Sequence, residues 1–198
     1  MKRIPANNLF TICQKMSEMP PEAISDNMIT VLFAANWQTA VIFPRLTIAS
    51  FQLIAKHYPV ELATFIAGKH TSSSKENLTA RNNLIKKMLE TTSSDAIITY
   101  ISTCILNRLN FTEDMVVVAS TLLKYAPECT NVQELLLYLN LFEAKARKSG
   151  KFGVFIIQVC KWILKRGIDC KLNMGQILML VEDGDLYHGK VKALMDVL

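Results

Sequence analysis

Glycine and proline are scarce, at seven and six of 198 residues. A β-sandwich of this length, or an enzyme built on glycine-rich loops, uses more of both in its turns. Sustained polar–apolar alternation is missing as well. Val116-Val117-Val118 is β-branched, but it lies between a cap signal and a Leu-Leu-Lys run of helical character. Charged residues are 20% of the chain against 51% hydrophobic ones, the balance of a globular protein and not of a disordered one. The longest uncharged apolar stretches, around Met28–Phe43 and Ile97–Leu106, carry polar side chains at intervals and are short for a bilayer span. They read as buried helices, and no membrane partner is expected.

Residue sets that carry chemistry are also lacking. His57, His70 and His188 lie far apart, with no cysteine or carboxylate at metal-ligand spacing. The five cysteines (Cys13, Cys104, Cys129, Cys160 and Cys170) are odd in number and form no CxxC. Buried free thiols in a reducing compartment are therefore expected, and with them an intracellular location, cytoplasmic or nuclear. A mitochondrial address is left open by the acid-free first 17 residues, which contain Lys2, Arg3 and Lys15. Asp183-Gly184-Asp185 is too short for a calcium loop. The carboxylate pairs Glu113-Asp114 and Glu182-Asp183 fit helix ends. No P-loop, GxSxG, HExxH or dinucleotide fingerprint occurs. The expectation is a protein with no catalytic residues, cofactor, metal or small-molecule substrate.

Helical punctuation, by contrast, is dense. Pro20-Pro21 opens a helix through Ile24, Met28, Ile29, Leu32 and Phe33. Asn36-Trp37 reads as a tight turn into a second short helix stopped by Pro44. One helix then carries Ile48, Phe51 and Ile54 as far as Pro59, and another spans about Val60–Lys69. A Ser-rich loop, His70–Lys75, precedes a capping box, Ser73-x-x-Glu76. Beyond it lie a helix with Leu84, Ile85 and Met88, a break at Thr91–Ser94, and a long helix to about Asn107. Thr112 caps the next helix, with Glu113 and Asp114 in its first turn. Asn131-x-x-Glu134 opens another, which runs through Leu135, Leu136, Leu139 and Phe142 to Ser149-Gly150. Phe152–Arg166 follows, closed by Gly167. Leu172–Val181 and Leu186–Leu198 form the final pair. The fold expected is all-α: stacked antiparallel helix hairpins, solenoid-like or irregular, with about ten or eleven helices. They form a single domain over 1–198, with sub-units 1–70 and 76–198 around the Ser-rich loop.

Trp37, Leu78, Phe111, Phe152 and Leu186 each follow a short polar turn, at spacings of 41, 33, 41 and 34 residues. Over residues 132–198 the pattern sharpens. Leu135-Leu136-Leu137-Tyr138 leads to Ser149-Gly150-Lys151-Phe152, then to Trp162-Ile163-Leu164-Lys165-Arg166-Gly167-Ile168. Ile177-Leu178-Met179-Leu180 begins a similar unit. This segment resembles helical-repeat proteins of the pentatricopeptide and tetratricopeptide type. The resemblance implies stacked hairpins and, for the pentatricopeptide type, recognition of one RNA base by a polar pair. That pair falls near Lys171 and Gln176 here, and Lys171 departs from the usual Asn or Asp.

The basic residues are unevenly placed. Lys145, Arg147, Lys148, Lys151, Lys161, Lys165, Arg166 and Lys171 share their segment with one acid, Asp169, giving a local net of +7 in a chain that totals +5. Such a strip attracts phosphate or an acidic partner. Trp162 among these cations is the interleaving that single-stranded nucleic acids use, yet Phe155, Val159, Trp162 and Ile163 are also spaced as a core stripe. Methionines such as Met174, Met179 and Met195 suit either core gaps or a groove for a partner helix. The leading expectation is a non-catalytic protein–protein interaction scaffold, binding another protein or itself as a homo-oligomer. The alternative is an RNA-binding module that uses the 145–171 strip.

Overall fold

A computed structural model describes residues 2–39, 42–69, 78–126, 131–166, 175–181 and 186–196. The protein is all-α: among the described residues an isolated bridge between Phe111 and Phe142 is the extent of β structure. No helix among them is long and apolar enough to cross a membrane. The chain forms two compact units, Met1–Asn107 and Arg108–Leu198. Within the first unit, the helix that precedes the Ser-rich segment packs on the second helix that follows it.

The first unit contains α1 (Ala6–Ser17), a 3-10 turn (Pro21–Ala23), α2 (Asp26–Thr39), α3 (Arg45–His57), α4 (Pro59–Lys69), α5 (Leu78–Leu89) and α6 (Ser94–Leu106). Packing joins each helix to the next but one: α1 to α3, α2 to α4, α3 to α5 and α4 to α6. Its core is an aromatic cluster. Phe33 and Phe51 have ring centroids 4.1 Å apart, and Trp37 meets Phe65 edge-on at 5.9 Å. Pairs of this kind stabilise by about 0.5–1.5 kcal/mol beyond their area.

Asn36-Trp37 is not a turn. Both residues are fully buried inside α2, which is one continuous helix where two were expected. The Asn36 side chain clamps the chain start instead. Its Oδ1 accepts from Ile4 N at 2.9 Å and its Nδ2 donates to Ile4 O at 3.1 Å. The Tyr58 hydroxyl reaches Met16 O at 2.5 Å and Met19 O at 2.9 Å, fixing the exit of α1. Arg81 of α5, 2% exposed, donates from Nε and Nη2 to Trp37 O at 3.1 and 2.8 Å, closing the end of α2. Its guanidinium carbon is 5.6 Å from the Trp37 ring centroid. Burial pulls its pKa below the ordinary arginine value.

The second unit contains a 3-10 turn (Glu113–Met115), α7 (Val116–Tyr125), α8 (Val132–Leu139), α9 (Ala144–Arg147), α10 (Gly150–Lys165), one helical turn at 175–178 and α11 (Leu186–Met195). Helix α10 is its spine, packed by α7 and α11. The helix expected from Asn131 to Ser149 stops at Leu139. Phe111 N donates to Leu141 O at 2.8 Å and Glu143 N to Phe111 O at 2.9 Å, so a backbone partner 30 residues away replaces the helical bonds. Phe111, Tyr138, Phe142, Phe152 and Phe155 fill the space around that bridge. Asn131 caps α8 as expected, accepting from Gln133 N at 2.9 Å. Thr112 makes no side-chain cap bond to the 3-10 turn that follows it. Ser149 does not end a helix but caps α10, accepting from Phe152 N at 3.2 Å. The Ser73–Glu76 capping box and the Gly167 cap lie outside the described residues.

Candidate nucleic-acid interface

Helix α10 has two faces. Phe152, Phe155, Ile156, Val159, Cys160 and Ile163 are buried. Lys151, Val154, Gln158, Lys161 and Lys165, spaced by threes and fours, are exposed. At 1.5 Å per residue this outer stripe is about 21 Å long, and no acid occurs from Ala144 to Arg166.

The eight cations of the strip have different situations. Lys145 and Lys148 are exposed, on and just after α9. Arg147 is half-buried and engaged in the fold: its Nε donates to Phe142 O at 2.8 Å and its Nη2 to Asn140 O at 3.1 Å, closing the turn after α8. Lys151 is 3.3 Å from Glu113, with both side chains largely in water. An exposed pair of this kind contributes about 0–1 kcal/mol, so Lys151 still carries surface charge. Lys161 and Lys165 are exposed on the outer stripe, and Arg166 caps its end. Lys171 lies outside the described residues, whereas Gln176 is exposed on the turn at 175–178.

At the C-terminal end of α10 a concavity of about 530 Å³ opens, lined by Leu123, Lys124, Ala126, Trp162, Lys165 and Arg166. Leu123, Lys124 and Ala126 come from the last turn and exit of α7, so the C-terminal ends of two helices meet there. Trp162 is not the core residue its spacing suggested. It is half-buried and lines the concavity. At about 100° per residue it sits on the flank between the buried and outer faces of α10. The Arg166 guanidinium carbon is 3.7 Å from the Trp162 ring centroid, a stacking distance. Lys124 Nζ is 5.0 Å from the Tyr125 ring centroid.

Among the described residues the charge at this site is positive. Two helix C-termini contribute about half a negative charge each, against the three full positive charges of Lys124, Lys165 and Arg166. None of the described lining residues is acidic. Lys124 was not among the sequence candidates: it lies some forty residues before Lys165, isolated between apolar runs, and only the packing of α7 on α10 brings the two together.

Other chemistry is sparse. No group of three or more His, Cys, Asp or Glu that could hold a metal occurs among the described residues. Cys13, Cys104 and Cys160 are buried free thiols, each pushed up to about 12 by burial. They are protonated, and so poor nucleophiles, at neutral pH. In the first unit a second open concavity of about 420 Å³ is lined by residues including Ile42, Ile48, Leu84 and Lys87. Its described lining residues include one cation, Lys87, and no aromatic–cation stack. No protein-family model, curated protein or solved structure matches this chain.

Proposed function

We propose that the chain is a non-catalytic binding module of packed helices whose second unit binds RNA through the outer face of α10. The observation that carries this reading is the meeting of Lys124 with Lys165, Arg166 and Trp162 at the end of the exposed stripe of α10. Phosphate–cation attraction supplies most of the affinity of such surfaces and needs no sequence readout. An aromatic among the cations adds a stacking surface for bases.

The reading as a protein-docking or self-associating scaffold has less to rest on. Exposed large apolar side chains occur on eight of the described helices, one or two on each, as on an ordinary protein surface. Both readings share the all-α, non-catalytic frame.

The test is fluorescence anisotropy with a labelled single-stranded RNA in low salt. Charge reversal at Lys124, Lys161 and Lys165 together is expected to weaken binding by at least about 100-fold, because three phosphate contacts turn repulsive. Absence of RNA binding by the unaltered protein refutes the reading. So does a variant that binds as well as the parent.

A further inference from the structure

We infer that the Trp162–Arg166 stack is a seat for an unpaired base, so that the second unit prefers single-stranded over double-stranded nucleic acid. This rests on the RNA-binding reading above and adds to it the form of the ligand. A cationic face alone does not discriminate: duplex and single strand both present phosphates, and the duplex has the higher charge density. The concavity adds three features that a plain stripe of lysines lacks.

The first is a planar platform. Trp162 is half-buried, so its indole is held by the fold while part of it faces the concavity. Arg166 lies over it at 3.7 Å, and a guanidinium plane stacks on nucleobases as an aromatic ring does. The second is space. A concavity of about 530 Å³ is within the range of small-ligand sites and admits one base with its sugar. The third is position. Lys124 and Lys165 line the same concavity as the platform from two different helices, putting two phosphate partners within the seat. A base in a duplex is paired and stacked on its neighbours, and reaching such a seat requires extruding it. An unpaired base avoids that penalty.

The two tryptophans make a direct test possible. Trp37 is fully buried in the first unit, whereas Trp162 is partly open to the concavity. A stacking base therefore quenches Trp162 emission and leaves Trp37 unchanged. The experiment titrates the intact protein with an unstructured single-stranded RNA, with a duplex of the same length, and with poly-glutamate as an acidic-peptide control. Intrinsic fluorescence and anisotropy are read together for the unaltered chain and for Trp162→Leu and Trp162→Phe.

The expected result is quenching by the single strand and little by the duplex. Trp162→Leu weakens single-strand binding about ten-fold or more, Trp162→Phe recovers part of the loss, and duplex affinity is unchanged in both. Because quenching is read on the unaltered chain, the test stands even if a variant folds poorly. Binding of both RNAs with equal affinity and no quenching overturns the base seat while leaving the cationic face intact. Binding of neither RNA overturns both readings. Poly-glutamate binding as tightly as RNA also overturns both, in favour of an acidic protein partner.

Discussion

Tyr187 of α11 lies against the bare Cα of Gly153 in α10. A Cβ built on Gly153 falls inside the van der Waals envelope of the Tyr187 ring. The glycine is a notch that lets α11 approach the spine of the second unit. In an exposed helix interior Gly→Ala stabilises by about 1 kcal/mol. Here the sign reverses. Gly153→Ala is expected to destabilise the second unit by about 1–3 kcal/mol through overpacking. The check is a urea unfolding midpoint for Gly153→Ala, Tyr187→Ala and the double variant. The double variant is expected to be more stable than the sum of the single losses, because the alanine methyl then meets no ring.

Arg81 closes the C-terminal end of α2 from another helix, with two donors on Trp37 O. Arg81→Leu removes them and leaves a buried carbonyl without those donors. A loss of about 1–3 kcal/mol is expected in the unfolding free energy of the first unit. Arg81→Lys is expected to recover little, because a single ammonium does not reproduce the paired Nε and Nη2 geometry.

Three buried thiols give the protein an alkaline weakness. Burial pushes the Cys13, Cys104 and Cys160 thiols up to about 12 in the folded chain, from an ordinary value of 9.0. Folding therefore raises these pKa values, and their stabilising effect is fully present below pH 9. Above it the unfolded state releases protons that the folded state keeps, so stability falls with rising pH until about 12. The slope is about 1.4 kcal/mol per pH unit for each thiol. The urea midpoint is expected to fall from pH 8 to pH 10, and Cys104→Val is expected to reduce that fall in the first unit. The same burial predicts that iodoacetamide at pH 8 spares these three cysteines in the native protein and modifies them in urea.

Asn36 ties the chain start to α2 through both polar atoms of its amide. Asn36→Leu is expected to release the segment before α1 and to destabilise the first unit by about 1–3 kcal/mol. Hydrogen exchange at the Ile4 amide is the sharper readout, expected to accelerate several-fold while amides in the middle of α3 keep their protection.

What the sequence disclosed was local. Pro44 and Pro59 bracket α3 as read, and the Ser93 and Asn131 side chains cap α6 and α8 where the breaks were expected. What it concealed was non-local. Asn36 reads as a turn residue because nothing near it in sequence reveals that its amide partner is Ile4. The helix through Phe142 reads as continuous because Phe111, which interrupts it, is 31 residues upstream. Helix α1 is legible in the same local way: Leu9, Cys13 and Met16 recur at helical spacing and are all buried.

The candidate site divides the same way. The exposed stripe of α10 follows from spacing alone. Spacing leaves Trp162 undecided between core and surface because a residue on the flank of a helix shares its periodicity with the core. Lys124 was invisible, since its place beside Lys165 depends on how α7 packs on α10. Arg147, a candidate by charge, is instead engaged by carbonyls of the turn after α8.

The most direct measurement is the dependence of single-stranded RNA affinity on salt. With Lys124, Lys161, Lys165 and Arg166 as phosphate partners, the logarithm of the association constant is expected to fall against the logarithm of salt with a slope of about −3. Lys161→Gln with Lys165→Gln is expected to make the slope shallower by about 1.4. A slope near zero, or one these substitutions leave unchanged, contradicts binding at this face.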